Sequence, residues 1–205
     1  MAKLKVLVGD CKKKLKKIPD CSVQMCVTSP PYYGLRDYGN DAQIGLEKTP
    51  EEYIQSLVEV FREVKRTLKD DGVLWLNIGD SYYNYRPGSK EDYPAHSFGG
   101  ERTAKNKRGM PKDTTQTKRG QKLEGYKEKD LIGIPWMLAF ALRADGWYLR
   151  QDIIWQKLSP MPESVRDRCT RSHEYVFLLS KKPKYYFDNE AIKTPVKQDC
   201  GTRNR

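Results

Sequence analysis

The sequence has no feature typical of a zinc-binding, membrane-spanning or secreted protein. It contains no C-x-x-C pair, which argues against a zinc site. No apolar run is long enough to span a bilayer, and we recognise no signal peptide. The number of cysteines is odd, so we expect reduced thiols, a cytoplasmic protein and no metal site. The five cysteines are Cys11, Cys21, Cys26, Cys169 and Cys200.

Acidic residues are scarce relative to basic ones. The 205 residues include 38 Lys and Arg against 27 Asp and Glu, which gives a formal net charge of +11. A surplus of this size suits a polyanionic partner, although a solvated basic surface would have the same composition. The length is sufficient for one domain with a hydrophobic core.

Apolar runs and helical spacing predict an alternation of strands and helices that ends in two consecutive strands. Strands are predicted at residues 4–8, 23–27, 73–78, 148–156 and 174–180. Helices are predicted over residues 11–18, from the Thr49-Pro50 cap to Gly72, and from Asp130 to Gly146. This order predicts an α/β sheet with an antiparallel hairpin at one edge.

Residues 83–129 show no periodicity, and we predict a basic, flexible insertion there. Eight Lys or Arg residues and one acid, Asp113, lie between Arg102 and Lys122. The segment is either an arm that contacts phosphates or a solvated linker. The candidate phosphate contacts in it are Lys105, Lys107 and Arg108.

Polar residues follow the predicted strands at the ends where open α/β sheets bind ligands. The strand at residues 23–27 runs into Ser29-Pro30-Pro31-Tyr32, a loop that its two prolines stiffen. By spacing alone, this loop is equally a turn that ends a strand. Asp10 and Asp80 follow two other strands, and each is also an ordinary cap.

Residues 28–39 resemble the signature of amino-group DNA methyltransferases, which reads (Asp/Ser/Asn)-Pro-Pro-(Tyr/Phe). They are similar to its Ser-Pro-Pro-Tyr branch, which is mostly associated with cytosine N4 and places the catalytic motif before the donor-binding motif. Residues 153–157, 160–164 and 170–175 resemble the same branch. The resemblance implies one Rossmann-like catalytic domain over residues 1–205. It also implies site-specific methylation of duplex DNA with S-adenosylmethionine in a restriction-modification system, with adenine N6 as the alternative target.

The resemblance also implies roles for individual residues. The Ser29 hydroxyl and the Pro30 carbonyl would accept hydrogen bonds from the target amino group, beside Pro31. Tyr32 would stack on a base swung out of the duplex. No Pro-Cys nucleophile is present, which argues against the carbon-5 cytosine class. The implied donor-site residues are Asp10, Ser29, Pro30 and Asp80. The candidate phosphate contacts are Arg36, Arg166, Arg168 and Arg171, for which surface ion pairing is the alternative.

The glycine-rich loop that holds the methyl donor in this branch, Phe-x-Gly-x-Gly-Thr, has no counterpart here. Gly99-Gly100 lies in the polar insertion, and Gly201-Thr202 has no apolar strand before it. We therefore expect a fragment, a split subunit or a chain cut before its second half, with an open strand edge at residues 23–27. A second chain that carries the glycine loop is an expected partner. The alternatives are a catalytically silent DNA-binding fragment and an RNA or protein methyltransferase.

Overall fold

The computed structural model describes residues 4–35, 38–40, 43–83 and 123–194. Within these residues, three helices and four strands follow one another along the chain. They are α1 (Cys11–Leu15), β1 (Val23–Thr28), α2 (Pro50–Thr67), β2 (Leu68–Ile78), α3 (Ile134–Ala144), β3 (Tyr148–Gln156) and β4 (His173–Ser180). None of the described helices has the length and hydropathy that a bilayer span requires.

The four strands form a single mixed sheet in the order β1-β2-β4-β3. Strands β1 and β2 are parallel, whereas β4 is antiparallel to both β2 and β3. The predicted hairpin at one edge is therefore confirmed. At the opposite edge, β1 pairs only with β2 among the described strands, so its other side is open.

Helix α2 begins as its sequence predicts. The Thr49 hydroxyl accepts a hydrogen bond from the Glu52 N–H at 3.1 Å, and Pro50 is the first helical residue. The Glu52 carboxylate accepts from the Lys48 N–H at 3.0 Å, one residue before the position that a capping box uses. The buried stripe of α2 packs onto the sheet and comprises Tyr53, Ile54, Leu57, Val58, Phe61 and Val64.

The two faces of the sheet differ in what covers them. On the covered face, Leu74, Leu76 and Phe177 are fully buried in the core beside α2 and α3. On the open face, Val27 and Trp155 are 68% and 62% exposed. The open face carries an apolar groove of about 650 Å³, lined by Met25, Val27, Trp75, Asn77, Ile153, Trp155, Glu174 and Val176.

The strand predicted at residues 4–8 is wrong. This segment has no regular structure, and Leu4, Val6 and Val8 are exposed. A strand exists only by pairing, and no described strand lies beside this segment. The exposed apolar side chains therefore lack the neighbours that would bury them.

Three predicted boundaries are corrected. Helix α1 ends at Leu15 and not at residue 18. Strand β2 begins at Leu68, so Gly72 lies inside the strand, at an irregularity of the pairing between β1 and β2. Helix α3 begins at Ile134 and not at Asp130, because its N-cap is Gly133 in the left-handed region with φ 86°. Leu131, which the predicted helix included, lies before α3 and is exposed.

Both ends of the predicted insertion pack onto the core. Tyr83 and Leu123 are buried, and the Leu123 N–H donates to the Tyr83 hydroxyl at 2.9 Å. The Tyr83 N–H donates to the Asp130 carbonyl at 2.8 Å. The candidates Lys105, Lys107 and Arg108 lie outside the described residues, as does Arg36.

Candidate active site

The loop after β1 is anchored from the covered side of the sheet. The Tyr53 hydroxyl, on α2, donates to the Pro31 carbonyl at 2.7 Å. Tyr33 is buried, and its ring centroid lies 5.4 Å from that of Tyr53. The Gly34 N–H donates to the Gly45 carbonyl at 2.7 Å, which closes the loop onto the following segment. The two prolines thus sit in a loop that tyrosines of the core hold in place.

Tyr32 points the other way and binds polar side chains that line the open face. Its hydroxyl donates to Asn77 Oδ1 at 2.9 Å and lies 3.4 Å from Glu174 Oε2. Its ring rests against Gly79, where an added Cβ would come within 2.5 Å of a ring carbon. Only a glycine at position 79 allows the ring this approach.

Charges and hydrogen bonds set the ionisation of these groups. Burial raises the pKa of the Tyr32 phenol, and the Glu174 charge adds to this effect, while the hydrogen bond with Ser29 opposes it. Burial would raise the pKa of Glu174, but hydrogen bonds from Lys157, Asn77 and Tyr32 lower it below its ordinary value. Lys157 Nζ lies 2.5 Å from Glu174 Oε1. At neutral pH the site therefore holds a neutral phenol and an ionised carboxylate.

The four predicted catalytic residues line one cleft of about 310 Å³, together with Leu35 and Tyr38. This volume is at the lower end of the range for small-molecule sites. Ser29 is exposed, and within the described part of the chain no backbone group donates a hydrogen bond to the Pro30 carbonyl. The cleft therefore presents a hydroxyl and a carbonyl that are available to a ligand. The catalytic roles of Ser29, Pro30, Pro31 and Tyr32 stay predictions.

Asp10 and Asp80, the two predicted donor-site carboxylates, both act as caps. The Asp10 carboxylate accepts from the Lys12 N–H at 2.9 Å, in an exposed segment. The Asp80 carboxylate accepts from three backbone N–H groups, of Ser81, Gly133 and Ile134. Because Asp80 thereby fixes the start of α3, it ties the end of β2 to that helix. Contact of either aspartate with a methyl donor stays a prediction.

The predicted DNA-contact arginines occupy different environments. Arg166 and Arg168 line a second cavity of about 820 Å³, beside Tyr82 and Lys129. The Arg168 guanidinium lies over the Tyr82 ring, 4.0 Å from its centroid, and pairs with Glu163. Arg171 donates to the Asp80 carbonyl at 3.0 Å, so it has a structural contact. Contact of these arginines with DNA stays a prediction.

Sequence reasoning missed Asn77, Lys157 and Glu174, which hold Tyr32 or its partners. A signal for Asn77 was present, because it is the one polar residue in the apolar run at residues 73–78. Lys157 and Glu174 lie inside the segments that resemble the methyltransferase family, but their spacing gives no hint that they pair across β3 and β4. Among the described residues, no group of three or more His, Cys, Asp or Glu residues is placed to hold a metal ion.

Comparison with known proteins gives close relatives in sequence. The type II methyltransferase M.SmaI of Serratia marcescens is 53% identical over 192 residues, which cover 94% of this chain and 61% of that protein. The type II methyltransferase M.Cfr9I of Citrobacter freundii is 50% identical over 201 residues, which cover 96% of this chain and 60% of that protein. The chain thus spans about three fifths of the length of these curated relatives.

Solved structures share the fold. The cytosine-N4-specific PvuII DNA methyltransferase aligns with a TM-score of 0.56 at 19% identity, over 88% of this chain and 50% of that chain. A putative DNA modification methylase from Thermus thermophilus, in complex with S-adenosyl-L-methionine, aligns with a TM-score of 0.54 at 20% identity, over 90% of this chain and 56% of that chain. These likenesses confirm the predicted Rossmann-like methyltransferase fold.

The family assignment rests on the sequence as a whole and not on the Pro-Pro loop alone. A family model for N6/N4 methyltransferases, described as DNA methylase, matches residues 23–205. This range contains the anchored loop after β1, the whole sheet and the polar groups around Tyr32. The chain therefore belongs to the DNA methylase family of amino-group methyltransferases.

Proposed function

We propose that this chain forms the target-base half of a site-specific DNA methyltransferase that modifies cytosine N4 in duplex DNA. The observation that carries the proposal is the cleft after β1, where Ser29 and Pro30 lie beside the anchored Tyr32. The relatives M.SmaI and M.Cfr9I are type II methyltransferases by name, which supports a role in restriction-modification. The net charge of +11 suits a DNA substrate.

The chemistry follows from the electronic structure of the target. The amino group of a nucleobase is a poor nucleophile, because its lone pair is delocalised into the ring. Hydrogen-bond acceptors that contact the amino hydrogens return electron density to the nitrogen. The Ser29 hydroxyl and the Pro30 carbonyl are these acceptors. Tyr32 stacks on the extruded base and holds it in line for attack, so catalysis rests on positioning and electrostatics. A serine at position 29 favours cytosine N4, with adenine N6 as the alternative target.

The methyl donor we propose is S-adenosylmethionine, as bound in the Thermus thermophilus protein. The described residues fit only part of a donor site. The Asp80 carboxylate is already engaged by three backbone N–H groups, and Asp10 lies in an exposed segment. The sequence contains no Phe-x-Gly-x-Gly-Thr loop. We therefore propose that residues beyond the described ones complete the donor site.

The remaining donor residues come, we propose, from a second chain or a further segment that carries the glycine loop. Two features of the sheet suit such a partner. Among the described strands, β1 pairs on one side only, and its other side offers backbone groups to another strand. The apolar groove of the open face, about 650 Å³, offers side-chain contacts. A partner that covers both features would bury Met25, Val27 and Trp155.

The test is transfer of a labelled methyl group from S-adenosylmethionine to unmethylated duplex DNA, followed by separation of the nucleosides. Labelled N4-methylcytosine is the expected product. N6-methyladenine would keep the enzyme class and overturn the target base. The Tyr32→Ala variant should lose transfer by about 100-fold while keeping its fold, because the base loses its stacking partner. A near-normal rate of methyl transfer in this variant would show that Tyr32 does not act by stacking on the base.

A second candidate function is DNA binding without catalysis, and the missing glycine loop favours it. The same labelled-donor assay separates the two functions. DNA that is bound but carries no label, with the chain alone and with a supplied glycine-loop half, would support the second candidate. Duplex RNA as the acceptor, in place of DNA, tests the remaining alternative among methyltransferases.

A further inference from the structure

A continuous chain of hydrogen bonds runs from the cleft to an ion pair. The Ser29 and Tyr32 hydroxyl oxygens lie 3.4 Å apart, and the Tyr32 hydroxyl lies 2.9 Å from Asn77 Oδ1. Asn77 Nδ2 donates to Glu174 Oε2 at 3.2 Å. Glu174 Oε1 lies 2.5 Å from Lys157 Nζ. We call these five side chains the Ser29–Lys157 chain.

The ionised Glu174, near one end of the Ser29–Lys157 chain, determines which group donates and which accepts in every hydrogen bond of the chain. An ionised Glu174 can only accept, so Asn77 must turn its NH₂ group toward it. The same NH₂ group donates to the Tyr175 carbonyl at 3.2 Å, which holds the amide in this orientation. Asn77 Oδ1 then faces Tyr32, so the single proton of the phenol goes to Asn77 Oδ1 at 2.9 Å or to Glu174 Oε2 at 3.4 Å, both of which only accept. The phenol oxygen presents only lone pairs to Ser29.

The consequence for Ser29 concerns its single proton. Because Tyr32 offers Ser29 only an acceptor, the Ser29 hydroxyl donates its proton to Tyr32. Its own lone pairs then remain for the cleft. A hydroxyl in the opposite orientation would offer its hydrogen to the lone pair of the target nitrogen and weaken the nucleophile.

We propose that Asn77, Glu174 and Lys157 are positioning residues that hold the Ser29 hydroxyl as a hydrogen-bond acceptor toward the target amino group. The proposal rests on the proposed function, which gives Ser29 that target. It explains why a carboxylate and an ammonium group lie at the edge of a groove whose other lining residues, except Asn77, are apolar. It also separates the two roles of Tyr32, since its ring meets the base while its hydroxyl orients Ser29.

Exchanging the polar groups at two positions tests the direction of the chain. In Glu174→Gln, Lys157 can bond only to the amide oxygen, so the new NH₂ group faces Asn77. Asn77 then turns its oxygen toward residue 174 and its NH₂ group toward Tyr32, gives up its hydrogen bond to the Tyr175 carbonyl, and the chain reverses. Adding Asn77→Asp gives Tyr32 an acceptor again, because the new carboxylate accepts from both Tyr32 and residue 174, although its second oxygen then faces the Tyr175 carbonyl. The double variant also keeps the net charge of the wild type.

The first readout is steady-state methyl transfer by the assembly that proves active in the labelled-donor assay. Glu174→Gln should lower kcat by about 100-fold, the order seen when one preorganised hydrogen bond is lost. Its KM for DNA should change by less than about twofold, because base stacking is kept. The Asn77→Asp/Glu174→Gln variant should recover part of kcat, because it restores the acceptor toward Tyr32 but not the hydrogen bond to the Tyr175 carbonyl. The matched control is Glu59→Gln, which removes the exposed Lys12–Glu59 pair and should leave both constants unchanged.

The second readout does not require activity. In protein labelled with ¹³Cζ-tyrosine, the Tyr32 resonance is identified by its loss in Tyr32→Phe. It should shift in Glu174→Gln, as the phenol changes from donor to acceptor toward Asn77, and return in the double variant. An unshifted resonance in Glu174→Gln, or normal kcat in that variant, overturns the proposal. If the wild type transfers no methyl group, the proposed function fails, and this resonance still decides the direction of the chain.

Discussion

The two faces of the sheet both carry large apolar side chains but differ in what they contact. Leu74 and Leu76 on the covered face are fully buried beneath α2 and α3, whereas Val27 and Trp155 on the open face lie in solvent. A near-continuous apolar run therefore predicts that a strand is buried on both faces, but not whether the covering layer is in the same chain. The difference locates the surface that a partner would have to cover.

The Pro-Pro loop lies where the two faces meet and is fixed from both. Tyr33 packs into the covered side, and the Tyr53 hydroxyl holds Pro31. Tyr32 binds Asn77 and Glu174, which line the groove of the open face. The position of the loop therefore depends on the core, while the orientation of its hydroxyl groups depends on the open face.

The largest expected effect is on stability and separates the two faces directly. Leu76→Ala on the covered face should lower the free energy of unfolding by about 2–5 kcal/mol, because it leaves a cavity in a closed core. Val27→Ala on the open face should cost less than about 0.5 kcal/mol. Urea denaturation of the two variants measures both values. Equal losses would show that the open face is covered in solution.

The next effect concerns Gly79, against which the Tyr32 ring packs. Gly79→Ala should displace the ring, since the new methyl group would lie within 2.5 Å of a ring carbon. We expect methyl transfer to fall by about 100-fold, the order that a misplacement of about 1 Å costs. The control is Gly125→Ala, where the new Cβ meets nothing within 4 Å although φ is +83°. An unchanged rate in Gly79→Ala would show that the ring position is not needed.

How far the sequence predicts the fold depends on whether the signals are local. The start of α2 follows from the Thr49-Pro50 cap, and the predicted bounds of β3 match Tyr148–Gln156. Residues 4–8 have the composition of a strand, but their pairing partner is not among the described strands. The start of α3 was misplaced because Asp80, more than fifty positions earlier, supplies the cap that Asp130 was expected to provide.

The candidate site shows the same limit. The Pro-Pro loop was recognisable, because its stiff residues are adjacent in sequence and follow a strand. The groups that orient Tyr32 were not, because Asn77 and Glu174 come together only when β2 pairs with β4. Their contact joins positions 97 residues apart, and no short motif encodes it.

The open face can be tested as an interface independently of catalysis. Trp155→Lys should weaken association with a polypeptide that carries the uncovered two fifths of M.SmaI by about 10-fold or more, since buried tryptophans dominate interface energies. Its effect on the stability of this chain should be small. Leu158→Lys is the control, because Leu158 is 98% exposed and does not line the groove. Calorimetric titration gives both affinities, and equal binding by the two variants would remove the groove from the interface.

The smallest expected effect is on the pH dependence of stability. It reports on the ion pair between Glu174 and Lys157 at the edge of the open face. The pKa of Glu174 in the folded protein is lowered from its ordinary value of 4.5, so this residue stabilises the fold above that pH. That contribution is lost as the pH falls from about 4.5 through the lower folded value. Asp70 and Asp167 have lowered pKa values too, so the informative quantity is the difference between the wild type and Glu174→Gln.

That difference should shrink on acidification by less than about 1 kcal/mol, as expected for a pair that water still reaches. Chemical denaturation between about pH 3 and pH 7 measures it, a window that begins at neutral pH and extends below the ordinary pKa of 4.5. A constant difference across this range would mean that the Lys157 pair does not form in solution, and the direction of the Ser29–Lys157 chain would lose its charged end. If the stability difference between the wild type and Glu174→Gln shrinks only below pH 4.5, the ordinary pKa of the carboxyl group, then Glu174 is ionised and paired above that pH. This result would support a charged Glu174 as the group that orients Ser29. The orientation of the Ser29 hydroxyl would then depend on the face of the sheet that the described part of the chain leaves uncovered.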